Sequence, residues 1–330
     1  MSYDLFFCVP VDREPLSKED FRGYFQDRRW FMLQNNQAFY GNEDTGVYFT
    51  FDYEEGEKDP ERDADLAESS LKPARVSFNL NFYRPSIFSL EAEPEVAAFV
   101  RHFSLLVDDP QNDGMGRGEY SGDGFLRGWN VGNLFGVSAI ASREDGDEPL
   151  TLPRAEIQRC WRWNRQRQSL QERLGENVFV PKIMFCLYED RVRPFTVWGD
   201  AIPIVLPRTD LVFLFRKDLL PQRLFKRKPD FALTTYDDTA RFFTGVQQGE
   251  PGTEYRELRY TSPPREIVEF FQSRKAFPAR DFAVSVDKIL DAELVKEAKE
   301  KGPSCQCSKS RVPYSRVLRP SRLGTTAPTN

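Results

Sequence analysis

The run Asp109-Pro-Gln-Asn-Asp113-Gly114 places oxygen-bearing side chains at positions one, three and five of a calcium-type loop, with a turn glycine at six. Position twelve, which such a loop fills with a bidentate glutamate, is Tyr120, and Glu119 stands one residue out of register. Asp109, Asp113, Glu119 and Asp123 therefore form the candidate divalent-metal set, weighed against a plain glycine-rich surface loop. The glycines of the same stretch, Gly114, Gly116 and Gly118, lack the spacing of a phosphate-cradling loop, and no Gly-Lys-Ser or Gly-Lys-Thr occurs.

Residues 151–174 carry Arg154, Arg159, Arg162, Arg165, Arg167 and Arg173 against Glu156 and Glu172, with Trp161 and Trp163 interleaved. Guanidinium groups beside indoles suit contact with a protein partner or with phosphate, and Trp161, Arg162 and Arg165 are the candidate partner-binding residues. Cys160, Trp163, Leu170 and Leu174 also fall on one seam of the helix. The plainer reading is a packed helix whose arginine stems lie over apolar surface. A second basic patch, Arg223 to Lys228 with Phe225 inside it, would strengthen phosphate recognition if the two met in space.

Other chemistry is thinly represented. A single histidine, His102, excludes any site that needs two imidazoles, and helical spacing puts it beside the apolar stripe of its helix rather than within it. No Gly-x-Ser-x-Gly elbow accompanies it, and Ser285-Val-Asp-Lys288 matches a Ser-x-x-Lys spacing only as short patterns do by chance. Glu297-Ala-Lys299 has a nuclease-like spacing within a helical pattern of alternating charge, which is how an exposed helix face reads. Cys305-Gln-Cys307 offers two thiolates where a closed zinc site takes four ligands. No cofactor is expected.

The elements that must carry these residues follow from periodicity. Tyr3 to Val9 reads as a buried strand, and Ser17 caps a helix with Phe21, Tyr24 and Phe25 at helical spacing. Trp30 to Leu33, Ala38 to Tyr40 and the alternating Val47 to Tyr53 read as strands joined by turns, as does Val76 to Phe82. Glu54 to Ser70, with eight acidic residues and no apolar period, reads as a loop. A helix is expected with Pro94 in its first turn and Val96, Phe99, Val100 and Phe103 on its packed face. The apolar stretch 125–141 is broken by glycines and gives only a weak helical signal. Later strands are expected over 178–187, 195–198, 202–206, 211–215 and 231–235, followed by helices after Ser262 and after Asp291.

This pattern predicts an α+β protein, mainly antiparallel in its sheets, with covering helices and with two sheet-containing units a possibility. The charged stretch 142–149 divides it into an N-terminal unit, 1–145, and a C-terminal unit, 146–300, followed by a basic tail, 301–330; a single fused domain over 1–300 is the alternative. Six basic residues and no acidic one follow Glu300, so residues 1–300 carry a net −11 where the whole chain carries −5. A body of that sign disfavours nucleic acid as a general partner. Five scattered cysteines, the lack of an apolar run long enough for a membrane span and an opening unlike a secretory signal point to the cytoplasm and exclude a membrane-spanning role.

Aromatic residues form 14% of the chain, and no catalytic motif accompanies them, which favours a recognition surface over a reaction site. The expectation is a non-enzymatic protein-binding module, of an immunity-type or regulatory kind that masks a protein partner. An enzyme using carboxylates and a divalent cation near 108–124 is the alternative, and a nucleic-acid-binding protein using helix 151–174 is a third reading.

Overall fold

The computed structural model describes residues 1–55, 65–111, 113–141, 148–219, 229–248, 253–278 and 282–301. Most of the acidic 54–70 stretch, the boundary segment 142–147, the patch 223–228 and the tail with Cys305 and Cys307 lie outside the described residues.

Strands β1 (Ser2–Pro10), β2 (Phe31–Gln34), β3 (Gln37–Gly41), β4 (Tyr48–Tyr53), β5 (Leu71–Asn81), β6 (Leu106–Asp108) and β7 (Arg117–Gly118) form one sheet in the order β2-β3-β4-β5-β1-β6-β7. Every pairing in it is antiparallel. Alternation decides which face is covered: Tyr3, Leu5, Phe7 and Val9 of β1 are buried, and Leu5 lies opposite Phe78 while Tyr3 lies opposite Leu80. Helix α1 (Lys18–Phe25), capped by Ser17 accepting from the Asp20 N–H, adds Phe21 and Phe25 to this face. Phe51 meets Phe78 and Phe99 with ring centroids 5.2 and 5.0 Å away, so the aromatic content of the first half is largely a phenylalanine layer.

Helix α2 (Ile87–Phe103) starts a full two turns before the position that Pro94 suggests. Pro94 sits inside it on the exposed side, where the carbonyl it leaves without a backbone donor can be hydrated. The consequence is that Glu91 belongs to the helix and shares its buried face with Phe88, Ala92, Val96 and Phe99. Helix α3 (Gly122–Ala141) is continuous despite its glycines. A Cβ at Gly132 would lie 2.2 Å from the Phe82 ring and one at Gly128 2.9 Å from the Gly114 Cα, so close approach, rather than helix propensity, accounts for glycine there.

After β8 (Leu150–Leu152), helix α4 (Arg154–Leu174) runs to Gly175, whose φ of 75° ends it. Then come β9 (Met184–Tyr188), β10 (Arg191–Gly199), β11 (Ile204–Pro207), β12 (Leu211–Arg216), β13 (Asp230–Thr235), α5 (Tyr236–Ala240), β14 (Gln247–Gln248), β15 (Glu254–Leu258) and α6 (Arg265–Ser273). Last are β16 (Ala276–Phe277), β17 (Ala283–Val284), β18 (Ile289–Asp291) and α7 (Ala292–Lys301). A second sheet has the order β16-β13-β12-β10-β9-β17, a third β11-β15-β14, and β8 pairs β18. Among the described strands only β10 with β12 and β8 with β18 pair in parallel, beside an isolated parallel bridge between Phe179 and Ile204, so the fold is α+β with predominantly antiparallel sheets.

The strand expected from residue 178 begins only at Met184. Residues 178–183 instead satisfy their backbone in two ways: Gln171 bonds the Val178 carbonyl and the Val180 N–H, Trp163 donates to the Pro181 carbonyl and Asn164 pairs with both groups of Ile183, while Phe179 donates to the Pro203 carbonyl and accepts from the Val205 N–H in a single parallel bridge to β11. The largest buried cluster includes residues of β1 and β3 to β6, of all of α1 to α4 and of the segment 178–185, with Phe31 and Leu33 of β2 packed against it. Among the described residues no helix is long and apolar enough to cross a membrane.

Candidate functional site

One face of α4 meets the buried side of α2 and the β3–β4 turn at Glu91. That carboxyl group is 2% exposed, yet it accepts four hydrogen bonds. Its Oε1 takes the Tyr40 hydroxyl at 2.8 Å, the Asn42 side-chain N–H at 2.6 Å and the Thr45 hydroxyl at 2.9 Å, while Oε2 takes the Trp161 indole N–H at 2.5 Å. Four aligned donors supply what water would otherwise give a buried carboxylate. Burial, with Glu91 adding to it, raises the Tyr40 phenol well above its ordinary value, so Tyr40 remains a donor. Asn42 also accepts from the backbone N–H groups of Asp44 and Thr45, which sets the turn between β3 and β4.

Above this network a polar cleft of about 360 Å³ opens to solvent. Tyr40, Asn42 and Asp44 line it from the sheet, Asn164 and Arg165 from α4, Glu95 from α2, and Arg28, Arg29 and Trp30 from the turn after α1. Its two acids are already matched: Asp44 accepts from Arg167 at 2.6 Å and Glu95 from Arg28 at 2.5 Å. Lys182 donates to the Glu43 carbonyl beside them, and its pKa is lowered by burial against the opposing pull of Asp44.

Two guanidinium groups are placed differently. Arg29 stacks over Trp30 at 4.6 Å and Arg165 over Trp161 at 5.0 Å. Both are exposed, and neither has a carboxylate partner among the described residues. Trp30 has a φ of 70°, a left-handed conformation that costs a bulky residue about 1–2 kcal/mol. It is held there by its own carbonyl, which accepts from the Gly41 N–H at 2.9 Å. No known protein family, curated protein or solved structure matches this chain.

The candidate partner residues thus come to this place by different routes. Arg165 lines the cleft, Trp161 anchors it from below, and Arg162 has its Nε enclosed without a hydrogen-bond partner among the described residues. Arg159 is turned to Glu156 and to the Arg208 carbonyl, away from the cleft.

The candidate metal residues are dispersed. Asp109 is 5% exposed and spends its oxygens on the Tyr3 hydroxyl at 2.7 Å and on the N–H groups of Gln111 at 3.0 Å and Met115 at 2.9 Å. Asp113, Glu119 and Asp123 are exposed, and Tyr120 turns inward to Glu93. Among the described residues, no group of three or more His, Cys, Asp and Glu side chains is arranged to hold a metal ion. His102 is exposed with its ring against Tyr24 and Phe103.

Sequence reasoning missed Glu91, Tyr40, Asn42 and Asp44, and with them Arg29 and Trp30. A signal for Glu91 exists: it stands three residues after Phe88 and four after Ile87, on the apolar stripe, where a carboxylate has to find donors. Placing the helix start at Pro94 hides it.

Proposed function

We propose that this chain is a non-catalytic protein-binding module, of an immunity-type or regulatory kind, that docks a partner over the cleft beside α4. The observation that carries this reading is the pair of exposed guanidinium groups, Arg29 and Arg165, each steadied on a tryptophan face above acids already neutralised by other arginines. Arginine and tryptophan are the residue types that dominate contact energies at protein interfaces. A locally cationic cleft on a body of net −11 selects an acidic feature of the partner. Cys160 and Cys186 are free and buried, which fits residence in the reducing cytoplasm.

The test is capture from the native host by the tagged chain, run in parallel with Arg29→Ala, Arg165→Ala and, as a control away from the cleft, Arg173→Ala. A stoichiometric protein retained by the parent and by Arg173→Ala but lost from both cleft variants supports the reading. Equal retention by all four, or no retained protein from any, overturns it.

A further inference from the structure

The chemistry of the two free arginines specifies more than an acidic partner. We propose that the cleft is a phosphomonoester site in which Arg29 and Arg165 clamp one phosphate group. The inference deepens the docking reading and rests on it for the choice of cleft.

A guanidinium resting over an aromatic face spends no N–H donor on a carboxylate, so its donors stay free for an anion. Arg29 and Arg165 are both held in this way, by Trp30 and Trp161, and both line the same 360 Å³ cleft from separate elements of the fold. Most of the remaining polar groups of the lining are committed: Tyr40 and Asn42 donate to Glu91, Asn164 is bonded to the backbone of Ile183, and Arg28 pairs with Glu95 through one terminal N–H, its Nε being enclosed without a partner among the described residues. The cations of the lining left without a carboxylate among the described residues are therefore two guanidinium groups, Arg29 and Arg165, carrying two positive charges. A carboxylate has one negative charge and is satisfied by a single guanidinium fork. A phosphomonoester has three terminal oxygens and close to two negative charges near pH 7, which matches two forks. The volume leaves room for the group that bears the phosphate.

Glu91 makes the clamp rigid from beneath. Its bond to the Trp161 indole fixes the ring on which Arg165 lies, and its bonds to Tyr40 and Asn42 fix the floor. The acidic body acts against an anion only weakly at this range, since at physiological ionic strength fields are screened over about 8 Å. Contacts within the cleft then decide.

The experiment follows tryptophan emission of the full chain as inorganic phosphate, acetate, a phosphoserine peptide with its unphosphorylated counterpart, and adenosine 5′-monophosphate are titrated at matched ionic strength. Phosphate is expected to give a saturable change, with acetate at least about 10-fold weaker. Arg29→Ala and Arg165→Ala should each weaken phosphate about 10-fold or more, and Arg165→Lys should not restore it, because an ammonium lacks the planar fork. Arg173→Ala should leave it unchanged, and coincident melting curves would establish that all variants fold. A lack of saturation, acetate binding as tightly as phosphate, or insensitivity to the cleft arginines overturns the proposal. If adenosine 5′-monophosphate binds more tightly than the phosphopeptide, the phosphomonoester site stands and the protein-docking reading fails. If the cleft arginines are needed for partner capture while no phosphate compound binds, the docking reading stands and the phosphate site fails.

Discussion

Asp109 and Glu91 are both almost entirely withdrawn from solvent, yet they organise very different spans of chain. Asp109 collects the N–H groups of residues two and six positions ahead and one distant hydroxyl, from Tyr3. It is chiefly a loop fastener. Glu91 takes no donor from its own helix; all four come from β3, the β3–β4 turn and α4, between 46 and 70 residues away. A carboxylate satisfied locally shapes one loop and leaves nothing over for a ligand. One satisfied from a distance locks three elements against each other, and the cleft with the free arginines is formed where they meet. Of the acids conspicuous in the sequence Asp109 is chiefly of the first kind, and the one that builds the candidate site is of the second.

The sharpest way to break this contrast is to delete each acid. Glu91→Ala strands four buried donors and should cost roughly 3–5 kcal/mol in urea unfolding, with exposure of Trp161 visible as a red shift of emission in whatever population remains folded. A loss below about 1 kcal/mol would mean that water replaces the carboxyl and that the hub is not structural. Asp109→Ala should cost less, about 1–3 kcal/mol, with faster amide exchange confined to the loop around Gln111 and Met115. Exchange spreading into α4 would erase the distinction between a local and a long-range acid.

Alkaline unfolding tests both hubs at once. Burial raises the phenols of Tyr3 and Tyr40, with Asp109 and Glu91 respectively adding to the shift. The folded state therefore holds these protons more tightly than the unfolded chain. That contribution is complete below pH about 10 and is lost as pH rises from there toward the folded values, by about 1.4 kcal/mol per pH unit for each phenol. Melting curves between pH 9 and 11 should show the decline, and Tyr3→Phe and Tyr40→Phe should each flatten it. The smallest expected effect is on the rim: Arg29→Ala and Arg165→Ala should change stability by no more than about 0.5 kcal/mol, because both are exposed and unpaired. A larger loss would make them part of the scaffold rather than a surface for a ligand.

Much of the fold was legible because alternation and helical spacing report directly on which side chains are buried. The strands around Tyr3, Tyr40, Phe51 and Phe78, the Ser17 cap and the packing seam of α4 at Cys160, Trp163 and Leu170 all follow from local pattern. Elements that break local rules for tertiary reasons were harder to read. The glycines of α3 answer to Phe82 and Gly114, Pro94 sits inside a helix it would ordinarily begin, and residues 178–183 take most of their hydrogen bonds from α4 side chains, with a single bridge to β11 at Phe179 in place of a continuous strand.

The sequence by itself determined the class of fold, the excess of acidic charge and the unusual arginine and tryptophan content of one helix, since each is a property of composition or of short-range period. Only the tertiary structure decided which of those arginines are spent. Arg159 has Glu156 one turn back on its own helix, a partner that helical spacing already offers, but Arg167 finds Asp44 123 residues away, Arg165 finds only a tryptophan face, and Arg29, from 136 residues earlier in the chain, joins it at the same cleft. Whether a charge is paired at long range depends on which groups the packed chain brings within a few ångströms, and no local pattern encodes that.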